Sequence, residues 1–282
     1  MSPHSTRLLA VFSGQQTGVL LFPLILPFLL LLTFIVYWPG LSGPFLFDDF
    51  ANLNALGAYG GVRDLETLRL YVLGGQSGPT GRPISLLSFL LDGQNWPTDP
   101  RPFKVTNLLL HLLNGIALFA ITRQLLLLMG SLSPNRVTFV ASLASGAWLL
   151  HPYLVSTVMY PVQRMAILST LFTLLGLWGY VHGRLLLKNH PWRAYLWMSL
   201  SLAGGTLLAM LSKENGILLP LLALVLEAII LRSITYISPS RLWSLLFLWI
   251  PAVLPLAYVF FRALNGSLAA SFLRRSFDVW ER

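Results

Sequence analysis

Asp48 and Asp49 follow the turn Gly43-Pro44-Phe45-Leu46-Phe47, just beyond an apolar run from Val19 to Trp38, in a chain of which only 10% is charged. A charge near a bilayer is disfavoured by about 2.5–3.5 kcal/mol at the membrane centre and by less toward the edge, so such a pair is read first as functional. Two adjacent carboxylates can accept a proton from a hydroxyl nucleophile, hold a divalent cation through oxygen, or cap a following helix. Like charges side by side also push one carboxyl pKa upward, which suits a base.

Three further polar motifs interrupt the apolar blocks: Gly81-Arg82-Pro83, the stretch from His151-Pro152 to Gln163-Arg164, and Ser212-Lys213-Glu214-Asn215. Their cations could receive an anionic group, yet each has a plainer use. Lys213 and Glu214 could form a helix-end ion pair, and Arg164 could anchor its span by snorkelling. Arg82 precedes a proline, which predicts an extended backbone there. Asn107, His111 and Asn114 are spaced by four and three, on one helix face. Such a stripe serves helix packing more often than ligand binding. Asp92, Asp99, Arg101 and Lys104 read as solvated loop charges.

The elements that carry these residues follow from composition. Of 282 residues 55% are hydrophobic, gathered in helix-length blocks without the alternation of barrel strands. A span needs about 20 mostly apolar residues, and only helices or closed barrels satisfy the backbone in lipid. The sequence therefore predicts an all-α polytopic membrane protein, one transmembrane module over residues 1–282. Seven spans are expected, at Val19–Trp38, Val105–Met129, Val137–Leu150, Val162–Leu187, Arg193–Leu211, Gly216–Leu231 and Leu242–Arg262. The third and sixth are short. Residues 39–104 form a long first loop, with short surface helices expected at Asp64–Leu73 and Pro83–Leu91.

No cysteine is present, which excludes disulfides and thiolate chemistry. The net charge of +9 is read as topology rather than nucleic-acid binding. With the N-terminus cytoplasmic, that side receives Arg7, Arg123, Arg136, Arg184, Lys188, Arg193, Arg232 and Arg241 and no acid outside a span. The positive-inside rule favours this orientation. The first run then reads as an uncleaved signal anchor. All four polar motifs fall on the opposite, extracytoplasmic face, as of a bacterial inner membrane, while Glu227 is left inside the sixth span.

In this order the motifs, with Asn107-Leu-Leu-Leu-His-Leu-Leu-Asn114 in the second span, resemble those of multispanning GT-C glycosyltransferases. The likeness is to the transmembrane and tetratricopeptide-containing O-mannosyltransferases and their bacterial relatives, and more distantly to protein O-mannosyltransferases. It runs from Phe45 to about Leu219. The resemblance implies an inverting enzyme that moves a sugar from a polyprenyl-phosphate donor to a hydroxyl, often Ser or Thr of a secreted or membrane protein. It implies Asp49, with Asp48, as the catalytic acidic pair. Arg82, Arg164 and Lys213 are the expected donor-phosphate cations, with His151, Glu214 and His111 in support. No cofactor is expected to be required, although a divalent cation is compatible with the acids. Related chains usually continue with further spans and often a tetratricopeptide domain, whereas this sequence ends at Asp278-Val-Trp-Glu-Arg282; a natural shortening, a truncation or a partner subunit supplying that region would each account for the difference. The alternative reading is non-catalytic: a lipid-linked glycan transporter, or an inactive assembly subunit on the same scaffold.

Overall fold

The computed structural model describes residues 22–234 and 237–265. Val19, Arg7 and the terminal Asp278 to Arg282 lie outside the described residues, so the start of the first expected span and both chain ends are not described. Among the described residues there is no β-strand. Six helices among these residues are long and apolar enough to cross a membrane: α1 (Phe22–Ser42), α5 (Pro100–Met129), α8 (Arg164–Leu186, extended at its start by the turn Pro161–Gln163), α9 (Pro191–Ser212), α10 (Glu214–Leu231) and α11 (Arg241–Leu264). The third expected span is a helix where expected, α6 (Pro134–Leu149), but it has 16 residues. At 1.5 Å per residue it is about 24 Å long, short of a hydrocarbon core of about 30 Å. Between the long helices lie α2 (Asp48–Leu53), α3 (Leu65–Leu73), α4 (Pro83–Phe89) and α7 (Leu154–Met159). The protein is thus an all-α polytopic membrane protein.

Local chemistry sets the helix ends. Proline opens α4, α5, α6 and α9 within their first two positions, where its missing N–H costs nothing. Asp99 caps α5 by accepting from the Arg101 N–H at 3.0 Å, and Gly130 closes that helix in the left-handed conformation, φ 65°. Asp64 caps α3: its carboxylate accepts from the Thr67 N–H at 2.8 Å while the Thr67 hydroxyl accepts from the Asp64 N–H. This reciprocal box explains why a segment with no clean apolar stripe is helical.

Small residues let the long helices approach closely. Gly176 and Gly205 bring α8 and α9 together, and a Cβ on Gly183 would lie 3.0 Å from the Met198 nitrogen and 3.1 Å from the Ala194 oxygen. On the other side of α8, α5 packs through Asn114, whose amide donates to the Ile167 oxygen at 3.0 Å. Gly115 of α5 faces Leu149 of α6, and Gly146 of α6 faces Leu29 of α1. The order of neighbours is therefore α1, α6, α5, α8, α9, with α10 and α11 completing the far side.

The first loop is more than a surface covering. Leu53, Leu56, Tyr71, Leu86 and Phe89 form a core with Phe103 of α5 and with Val162 and Met165 at the start of α8. The loop is thus a small folded cap seated on the mouths of two spans.

Candidate functional site

One end of the bundle gathers the start of α5, the end of α6, the start of α8, the α9–α10 junction and the cap. The four polar motifs all lie there, as the expected alternation of spans requires. Within this end they separate into exposed groups and buried struts.

Asp49 is a strut. It is 0% exposed, and its two carboxylate oxygens accept main-chain N–H bonds from Leu46 at 2.9 Å and Val162 at 2.8 Å. Burial raises its pKa above the ordinary carboxylate value, against the lowering effects of those N–H groups and of the nearby Lys104 ammonium. Asp48, its neighbour, is exposed, and its backbone N–H donates to the Tyr160 hydroxyl at 2.6 Å. Between cap and acids stands Phe47, 85% exposed and at φ 33°, a left-handed value that a phenylalanine adopts only under constraint. The pair therefore does not offer two open carboxylates; the open one is Asp48, not the Asp49 favoured by the sequence.

Arg164, expected among the phosphate-binding cations, is also a strut. It is fully buried, paired with Asp92 at 2.5 Å, and donates to Asn107 Oδ1, the Ser88 oxygen and the Phe103 oxygen at 2.8, 2.9 and 2.8 Å. Its guanidinium also lies over the rings of Phe89 and Phe103. Buried in this way it presents no surface to a ligand. Asp92 and Lys104, expected as solvated charges, are likewise buried: Thr106 donates to Asp92 at 2.5 Å, and Lys104, 3% exposed, donates to the Gly43 oxygen at 2.8 Å. Only tertiary contact reveals this, because Asp92 and Arg164 stand far apart in sequence.

His111 does not reach the site either. It is buried with a ring nitrogen 3.0 Å from the Leu149 oxygen, between Tyr37 and Trp148, so the Asn107, His111, Asn114 stripe packs helices. His151 is exposed and its Nδ1 accepts from the Tyr153 N–H at 3.3 Å, shaping the turn into α7.

Arg82 and the Lys213-Glu214 pair meet at the α9–α10 junction. Arg82 is left-handed, φ 55° and ψ 51°, rather than extended, an uncommon conformation for a residue other than glycine. In that conformation its guanidinium binds Glu214, Nη2 to Oε2 at 2.8 Å and Nε to Oε1 at 3.1 Å, with 21% and 26% of the two side chains exposed. The Lys213 ammonium makes no hydrogen bond or ion pair among the described residues, although its main chain bonds to Ala209 and Gly216. Burial, then the nearby Arg82 charge, lowers its pKa from the usual lysine value, while Glu214 opposes them. Two cations and one anion leave a net positive charge here.

Beside this cluster lies an apolar groove of about 600 Å³ between the α9–α10 junction and α11, whose lining includes Thr80, Met210, Glu214, Ile217, Leu254 and Tyr258. A second recess of about 350 Å³ shares Thr206, Met210 and Pro251 with it and continues to Leu246 and Phe247. Asn52 joins this region to the acids. Its amide donates to the Asp48 oxygen at 2.8 Å, and its own oxygen accepts from Ser77, next to Gly78, against which Glu214 packs. Asn52, Ser77 and Tyr160 carried no sequence signal beyond lying near the polar motifs.

Comparison of the chain with protein-family models, with curated proteins and with solved structures finds no match.

Proposed function

We propose that the protein is a GT-C-type glycosyltransferase that moves a sugar from a polyprenyl-phosphate donor to a hydroxyl acceptor at the extracytoplasmic face. The observation that carries this reading is a net-positive cluster, Arg82, Lys213 and Glu214, at the head of a long apolar groove, with an exposed carboxylate on the adjoining cap. An anionic head on a long apolar tail is the ligand chemistry that suits such a groove.

In the proposed step the acceptor oxygen bonds to the anomeric carbon as the bond from that carbon to the phosphate oxygen breaks. The hydroxyl proton passes to the Asp48 carboxylate. The departing lipid phosphate gains one negative charge, which Lys213 and the exposed edge of Arg82 stabilise. Attack opposite the leaving group inverts the anomeric centre. The acceptor class, protein Ser or Thr, rests on the sequence resemblance alone.

The transport alternative draws less support, because the ionisable pair deeper in the bundle is self-satisfied. Arg184 binds Glu227 at 2.9 Å, and Tyr180 donates to the same carboxylate at 2.8 Å. A substrate pathway needs groups that remain available.

The test is single-turnover transfer by the purified, reconstituted protein from defined polyprenyl-phosphate sugars to Ser- and Thr-containing peptides, read by mass spectrometry. Transfer that is lost in Asp48→Asn is expected. Donor flipping across the vesicle without transfer would support transport instead, and absence of donor binding would end both readings.

A further inference from the structure

The two acids hang from one short stretch of chain at the mouth of α8. Val162 donates its N–H to Asp49, and Tyr160 accepts the Asp48 N–H on its hydroxyl oxygen at 2.6 Å. That stretch is itself pinned from within the bundle. The Asn107 amide donates to the main-chain oxygens of Val158, Tyr160 and Pro161 at 3.2, 3.2 and 3.3 Å, and Asn107 Oδ1 accepts from Arg164. A continuous set of hydrogen bonds therefore runs from the buried Arg164 and Asp92 pair, through Asn107 and Tyr160, to the backbone of the exposed Asp48.

We propose that Tyr160 is a positioning residue for Asp48, holding the exposed carboxylate in its working place through the phenol hydroxyl. The ring is half-buried against the core of the cap, so the hydroxyl has a fixed mount. Burial and the two neighbouring carboxylates push the phenol pKa up, which keeps it a neutral hydrogen-bond acceptor. Phe47 explains why such a strut is needed: its constrained backbone at φ 33° turns the Asp48 N–H toward Tyr160, and relaxation of Phe47 would carry Asp48 with it. Among the described residues the Asp48 amide has this one hydrogen bond, whereas Asp49 is held at both carboxylate oxygens.

The role in the reaction rests on the proposed glycosyl transfer; the strut itself does not. Tyr160→Phe removes the hydroxyl and leaves the ring. In the full chain reconstituted in nanodiscs, hydrogen–deuterium exchange of a peptide containing Asp48 is expected to rise by about tenfold, the loss of roughly one hydrogen bond. The kcat for sugar transfer is expected to fall by about tenfold or more while KM for the lipid donor is unchanged, a split that general loosening of the donor site would not give. Unchanged exchange would overturn the strut. Raised exchange with unchanged kcat, or a rise in KM alone, would overturn its part in the reaction. A parent chain that binds donor but transfers no sugar would refute the reaction, and the exchange comparison would still decide whether the hydroxyl holds the loop.

Discussion

The Asp49 carboxylate accepts the main-chain N–H of Val162, 113 residues further along the chain, at 2.8 Å, and so closes the cap onto the mouth of α8. Its other oxygen accepts from Leu46, which leaves no free edge for substrate. Asp49→Asn turns one of these acceptors into a donor facing an N–H. It should destabilise the cap by about 1–3 kcal/mol, seen as a lower thermal midpoint in detergent. Asp48→Asn should leave that midpoint within about 0.5 kcal/mol of the parent, as surface changes usually do. It should slow single-turnover transfer by about 10²–10⁴-fold. A reversed pattern, stable Asp49→Asn with lost transfer, would return the base to Asp49.

Arg164 and Arg82 should respond in opposite ways to loss of charge. Arg164→Gln strands the buried Asp92 carboxylate, and breaking a buried pair from one side costs about 3–5 kcal/mol. Little folded protein is expected on size-exclusion chromatography, and Arg164→Lys should not restore it, because one ammonium cannot reach the three acceptors that the guanidinium spans. Arg82→Gln, at a partly exposed pair, should fold and weaken binding of a polyprenyl phosphate by about tenfold. Equal loss of folded protein in both variants would remove Arg82 from the ligand site.

How far these roles were legible in sequence depends on which distances decide them. The long helices follow from block length, and the starts of α3 and α4 from Asp64 and Pro83, because those signals are local. The sharing of one bundle end by Asp48, Arg82, Arg164 and Lys213 was legible too, since it needs only the alternation of spans. What was not legible is which of them is buried. Asp49 and Asp48 are neighbours of one type, and only the position of Val162 in space makes one a strut. Lys104 and Asp92 lie in a polar stretch whose composition suggests solvent, yet the cap folds over both. The expected third span, Val137–Leu150, misses the first turn of α6, which Pro134 opens three residues earlier, and runs one residue past its end at Leu149.

Close helix contact at α8 and α9 gives a prediction independent of any ligand. A methyl group on Gly183 would press on the backbone of α9, 3.0 Å from the Met198 nitrogen and 3.1 Å from the Ala194 oxygen, where no side chain can rotate away. Gly183→Ala should therefore cost about 1–3 kcal/mol through overpacking, despite the better helix propensity of alanine. Gly204→Ala, where a Cβ meets nothing within 4 Å, should be neutral or slightly stabilising. Thermal midpoints of the two variants in one detergent provide the comparison; equal midpoints would mean that the helices sit further apart.

Lys213 should make the proposed donor site sensitive to alkaline pH. Burial, with Arg82 nearby, lowers its folded pKa from the ordinary 10.5, so the ammonium loses its proton at lower pH in the folded chain than in the unfolded one. For a group with a depressed folded pKa the contribution to stability is complete above the unfolded value and is lost as pH falls through the folded one. Ligand-free protein should thus gain stability from this residue as pH rises across the interval between its lowered value and 10.5, and Lys213→Met should lack that gain. Phosphate binding has the opposite sign, because the anion needs the ammonium. Affinity for a polyprenyl phosphate should fall as pH rises through the lowered value, earlier than a free lysine would cause, while Lys213→Arg should hold its affinity across the same range. Titration of binding by the parent and Lys213→Arg between pH 7 and about 10.5 would decide it; identical profiles would place the lipid phosphate away from Lys213.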